Sequence, residues 1–184
     1  MKKSLILFAT IAFCFASATA QKDKPLQPPV LPIDSTTKMI TYKEVVTQQG
    51  SSAELFKRAM DWIVLYYKNT AEVVKTSNEA TGVIEGSSRI KIHTPAKDGV
   101  TTIAGMVNYN FTIEAKDGRY RYTFTRFSLR DAAYNPIEKW FDTKLPTWFP
   151  QRFEHLKEVN DDMVNTINSL KEAMAPKVQK TDNW

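Results

Sequence analysis

The feature that most constrains this chain is one dipeptide, Asp117-Gly118, set in the stretch FTIEAKDGRYRYTFTRF over 111–127. Asp-Gly is what a two-residue β-hairpin loop selects, because both central residues of the tight mirror-image turn need positive φ. Such a loop leaves no freedom in how the flanking strands align, and so it fixes which side chains share a face. Pairing outward from the turn sets Ala115 opposite Tyr120, Ile113 opposite Tyr122 and Phe111 opposite Phe124, all on one face. The other face carries Lys116 against Arg119, Glu114 against Arg121, Thr112 against Thr123 and Asn110 against Thr125, with one opposite-charge pair among them. A base-stacking platform needs its rings on the open, basic face, and this register places only Phe127 there. The hairpin therefore reads as half of a buried core, which argues against nucleic acid as a partner.

The remaining elements follow from changes of period. Residues 39–47 (MITYKEVVT) alternate and are rich in β-formers, so they predict a strand. Ser51-Ser52-Ala53-Glu54 fits a capping box, in which the Ser51 hydroxyl and Glu54 carboxylate satisfy amides of the first helical turn. The helix that follows presents Leu55, Ala59, Trp62, Ile63 and Tyr66 as an apolar stripe and ends near Asn69. Residues 72–76 are a short strand candidate and 78–82 a turn; 83–93 alternate Ile84, Ile90 and Ile92 against Glu85, Arg89 and Lys91. A turn at 95–99 leads to the hairpin strands 101–116 and 119–130. Phe153, Leu156, Val159, Met163, Ile167, Leu170 and Met174 recur at helical steps after Pro150, predicting a long final helix. Gly82, Gly86, Ser88 and Gly105 mark close approaches to the sheet or bulges. The order β-α-β-β-β-β-α implies an α+β, two-layer fold, an antiparallel sheet covered on one face by helices and open on the other.

The chain ends set the expected compartment. Lys2 and Lys3, an apolar run over 5–16 and Ala18-Thr19-Ala20 are the three parts of a signal peptide, 1–20, with cleavage between Ala20 and Gln21. The run is too short to span a bilayer, and Phe13 stands where a lipobox before Cys14 needs a small residue. Segment 21–37, with Pro25, Pro28, Pro29 and Pro32, reads as an extended linker, 38–175 as a single domain and 176–184 as a flexible tail. Removing Lys2 and Lys3 from the 25 basic residues leaves 23 against 20 acidic ones, a mild positive charge. Cys14 is the only cysteine, so the mature chain has no disulfide, thiol nucleophile or cysteine metal site.

LPIDSTTKMITYKEVV, SSAELFKRAMDWI, GVIEGSS and YRYTFTRFSL resemble segments of an uncharacterised family of secreted bacterial domains with a TATA-binding-protein-like fold. The resemblance covers about 33–130 and rests on hydrophobic and turn positions, with no catalytic signature. It implies the fold, a Gram-negative source and the periplasm or beyond, and it implies no activity.

Chemistry-bearing patterns are sparse. His155, Glu158 and Asp162 share a helix face at i, i+3 and i+7 but read as an ordinary charged face, so no metal or other cofactor is expected. Gly86-Ser87-Ser88 lacks the rest of a nucleophile elbow or phosphate loop, and the adjacent Asp161 and Asp162 diverge on a helix. The open sheet face is mildly cationic, with Arg89, Lys91 and Arg121 as candidate contacts for an anionic envelope glycan or acidic protein. Trp140-Phe141 and Trp148-Phe149 read as staples of the connector onto the core. Asp34-Ser35-Thr36 resembles a short O-glycan acceptor, with Ser35 the attachment point. The chain is thus expected to be an exported, non-catalytic binding module of the cell envelope. The alternative is a carrier of a small apolar ligand between helix and sheet, lined by Tyr122, Phe124 and Met163; an envelope hydrolase ranks third.

Overall fold

The computed structural model describes residues 27–95, 100–131 and 133–176. The segment expected to be a signal peptide, its expected cleavage site, residues 21–26 of the expected linker and the expected tail from 177 lie outside the described residues. Strand β1 (Tyr42–Thr47) leads into helix α1 (Ser52–Tyr67), and a helical turn α2 (Thr70–Val73) precedes strands β2 (Val74–Asn78), β3 (Val83–Pro95), β4 (Thr101–Lys116) and β5 (Arg119–Leu129). A two-residue strand β6 (Asn135–Pro136), a 3-10 turn (Ile137–Phe141) and the long helix α3 (Gln151–Met174) complete the order. One antiparallel sheet runs β1-β5-β4-β3-β2, and β6 pairs with β5 beyond the end of β1.

Helices α1 and α3 cover one face of this sheet, as the hydrophobic pattern requires. Phe111, Ile113, Ala115, Tyr120, Tyr122 and Phe124 point into that layer and are buried with Leu55, Ala59 and Ile63 of α1 and Leu156, Val159, Met163 and Leu170 of α3. Polar ties close the seams: Trp62 Nε1 donates to Ser169 Oγ at 3.1 Å, and Tyr42 donates to Asn160 Oδ1 at 2.9 Å. The capping box forms as predicted, with the Glu54 amide donating to the Ser51 hydroxyl and the Ser51 amide to the Glu54 carboxylate.

The hairpin keeps the expected register from Lys116↔Arg119 to Asn110↔Thr125, and then shifts by one, so that Asn108 pairs with Ser128. The extra residue is Arg126, which adopts φ 59°. Phe127, expected on the open face, is turned inward and fully buried against Tyr42 and Tyr109. Magnitudes explain the choice. A left-handed non-glycine residue costs roughly 1–2 kcal/mol. Burying a phenylalanine returns about 1.5–3 kcal/mol, and the uninterrupted register would have put the Arg126 cation, unpaired, among the core rings, at several kcal/mol. The bulge is the less costly arrangement.

Two boundaries also differ from the periodicity. Within the segment read as linker, Leu31 is buried and Ile33 bridges Ile40 around a turn in which the Asp34 carboxylate accepts from the Thr36 and Thr37 amides at 3.0 and 2.7 Å. The Ile40 amide then donates to Glu138 Oε1 at 2.8 Å. Packed structure therefore begins upstream of residue 38, because Leu31 finds apolar room and Asp34 supplies its own turn. The 72–76 candidate splits into the α2 turn and β2, since Val73 is drawn into the core.

Candidate functional site

The uncovered sheet face carries a groove of about 680 Å³ at its β3 side. Its floor follows from strand alternation: Ser87, Arg89 and Lys91 of β3 pair with Asn110, Asn108 and Met106 of β4, and Ser128 of β5 lies beside Asn108. Beyond Gly86 strand β2 no longer accompanies β3, and Asn69, Glu72 and Lys75 form a side wall there. Tyr134, more than half exposed, lines the groove as well, together with the bulge residue Arg126.

The charge of this groove is one-sided. Lys75, Arg89, Lys91 and Arg126 line it, against Glu72 as its acid. Arg89 Nη2 donates to Glu72 Oε1 at 2.5 Å, which fixes that guanidinium and leaves its Nε and Nη1 donors without partners among the described residues. Lys75, Lys91 and Arg126 have no ion-pair partner among the described residues. Behind the wall, the Tyr67 and Tyr109 hydroxyls meet at 3.0 Å, and burial pushes the Tyr109 phenol up to about 12. Both phenols therefore stay protonated at neutral pH.

The expected site residues divide. Arg89 and Lys91 stand side by side on one strand face in the groove. Arg121 lies outside it, near the turn of the hairpin, where its Nε and Nη2 donate to the two oxygens of Glu114 at 2.5 and 2.6 Å. That bidentate pair holds the Glu114 carboxyl below its usual range and neutralises the Arg121 cation locally. Tyr122, Phe124 and Met163 are packed core residues and none lines the groove; Tyr122 donates to Glu44 Oε2 at 2.6 Å, and Phe124 contacts the Tyr109 and Phe111 rings. Ser35 is exposed on the turn that Asp34 caps.

His155 is a correction to the charged-face reading. It is 2 % exposed, between Trp140 and Phe149, with neither ring nitrogen hydrogen-bonded. Burial, and then the Arg152 cation, hold it below its ordinary value, so it is neutral at pH 7. Glu158 turns the other way, accepting the His93 amide at 2.8 Å and contacting the His93 ring. Among the described residues no group of three or more His, Cys, Asp or Glu is placed to hold a metal ion. Trp140 is buried, and Trp148 Nε1 donates to its carbonyl at 2.9 Å, so these tryptophans staple the connector. Among the described residues, no helix is long and apolar enough to cross a membrane.

A family model described as a domain of unknown function (DUF4468) with TBP-like fold matches residues 42–130, the span from β1 through the bulged hairpin. Over that span the chain is similar to DUF4468 domains. Two solved structures share its architecture. A TBP-like protein from Parabacteroides distasonis ATCC 8503 aligns with a TM-score of 0.59 at 15 % identity, covering 78 % of this chain and 96 % of that one. A DUF4468 family protein from Bacteroides ovatus ATCC 8483 aligns with a TM-score of 0.57 at 20 % identity, covering 80 % and 93 %. At such identities the likeness concerns the fold alone, and it reaches beyond the DUF4468 segment itself. No curated protein matches the chain.

Proposed function

We propose that this chain is an exported, non-catalytic binding module of the bacterial cell envelope, and that its ligand is an anion held in the groove of the uncovered sheet face. One observation carries the reading: four cations line a single concavity in which Glu72 is the acid, and three of the four have no ion-pair partner among the described residues. A solvated strand face selected only for solubility intersperses both signs; unpaired cations gathered in a concavity raise the local potential for an anion. The signal-peptide pattern over 1–20 supports export, with Gln21 as the first mature residue.

Retention on surfaces coated with dextran sulfate tests the site, with elution by sodium chloride as the readout. Lys91→Glu combined with Arg126→Glu is expected to weaken binding at least tenfold. Arg121→Gln, which alters an already neutralised pair, leaves it unchanged. Equal losses from the two variants would locate binding elsewhere on the surface and refute the groove. Amino-terminal sequencing of the protein from a periplasmic fraction tests export, and a start other than Gln21 contradicts it.

A further inference from the structure

Resting on the reading of the groove as an anion site, we infer that its ligand is an acidic glycan, a saccharide chain bearing carboxylates. The cations there are set among neutral hydrogen-bonding groups: the Asn69, Asn108 and Asn110 amides and the Ser87 and Ser128 hydroxyls. Each amide offers two donors and an acceptor, one Asn69 donor being directed at Glu72 Oε2 at 3.3 Å, and each hydroxyl offers one donor and acceptor lone pairs. A ligand made of acceptors alone, such as a phosphate or a run of carboxylates, leaves the amide oxygens facing lone pairs. A sugar hydroxyl gives and takes a hydrogen bond, and it satisfies both halves of an amide. The cations then account for the carboxylates. Arg89, tethered to Glu72 through one nitrogen only, keeps part of a planar donor fork of the kind that matches a carboxylate.

Shape and topology point the same way. The groove is half open to solvent and its volume lies in the range that accommodates ligands of a few rings. Tyr134 supplies an exposed ring, an apolar body with a polar tip suited to the C–H face of a pyranose. An acidic peptide recognised by strand addition needs an unpaired sheet edge. β3 offers such an edge beyond Gly86, but Asn108 and Asn110 stand on β4, which already has both neighbours, so a strand added at that edge would leave their amides unmet. Nucleic acid is disfavoured by the same bulge that removes Phe127 from this face.

Isothermal titration of the purified exported chain decides the matter, with hexagalacturonate and a hyaluronan hexasaccharide as acidic glycans, maltohexaose as the neutral control and poly-L-glutamate as the non-sugar polyanion. At least one acidic glycan is expected to bind tenfold or more tighter than both controls. Asn108→Leu with Asn110→Leu, which leaves the charge unchanged, is expected to weaken it at least tenfold while the thermal midpoint stays within a few degrees. Poly-L-glutamate binding as tightly as the glycans, or insensitivity to the double variant, overturns the glycan assignment and leaves the anion site standing. Failure of every polyanion to bind overturns the anion site itself, and maltohexaose binding as well as the acidic glycans does the same.

Discussion

Gly86 gives the sharpest test of how this domain is packed. It lies in β3 opposite Phe111, where the sheet is pressed between the core and the turn that opens β2. A methyl group built there would stand 2.3 Å from Phe111 Cζ, 2.6 Å from its Cε1 and 2.6 Å from the Val73 carbonyl oxygen. Neither side yields easily. The Phe111 ring is 1 % exposed, stacked on Tyr67 at 5.8 Å and set against Phe124 at 6.1 Å, and the Val73 oxygen is backbone. Overpacking a filled interior costs about 1–3 kcal/mol and occasionally more, and a clash on two sides places Gly86→Ala near the top, at about 3 kcal/mol. For a domain of this size each kcal/mol moves the thermal midpoint by about 2–4 °C, so a fall of roughly 6–12 °C is expected. In urea, with a slope near 2 kcal/mol per molar, the midpoint falls by about 1.5 M. Tryptophan fluorescence and far-ultraviolet dichroism follow both transitions. Phe111→Leu in the same chain removes the ring half of the clash, and the double variant is therefore less destabilised than the sum of the two single ones. A Gly86→Ala midpoint within 2 °C of the parent, or strict additivity with Phe111→Leu, refutes the packing argument.

Three further outcomes follow from particular contacts. His155 is neutral when folded and takes a proton near its ordinary value of about 6.5 when unfolded, so the unfolded chain binds more protons as the pH drops below that value and stability declines with acid. Arg152, Glu154 and Glu158 are the charged groups acting on it. Thermal midpoints from pH 7.5 to 5 should fall less steeply in His155→Leu than in the parent, and equal slopes would exclude His155 as the cause. Tyr122→Phe removes the 2.6 Å hydrogen bond to Glu44 and leaves that carboxylate to Lys171, for a loss of about 1–2 kcal/mol by urea unfolding. Ser51→Ala abolishes the capping box of α1 and costs about 1 kcal/mol, a fall of about 2–4 °C in the dichroism midpoint.

The two-layer fold was legible because its signals are local. Asp117-Gly118 fixes a register, Ser51 and Glu54 fix a helix start, and the α3 stripe needs only its own spacing. The bulge was not legible: Arg126 carries no sequence mark of a positive φ, and the shift is decided by a competition among Tyr42, Tyr109 and Phe127 that exists only after folding. Leu31 was hidden for a like reason, since one apolar residue among prolines shows no period. Of the groove, Arg89 and Lys91 could be read from the alternation of a single strand. Lys75 comes from β2, Asn69 from the connection between α1 and α2, and Tyr134 from the segment before β6, and only folding brings them together. Arg121 looked equivalent to Arg89 by count of charge. Geometry separates them, because Glu114 claims both arms of one and Glu72 holds a single nitrogen of the other.

The looped-out residue of β5 has a consequence for how such a domain can diverge. Excising Arg126 would let Tyr109 face Phe127 directly while Asn108 kept Ser128 and Val107 kept Leu129, so no other side chain would change sides. Loss or gain of a single codon at this point is thus silent to the interior, yet it subtracts or adds one positive charge outside. Relatives are expected to vary in length here more readily than anywhere else along the sheet, and to differ by one charge on the uncovered face as they do.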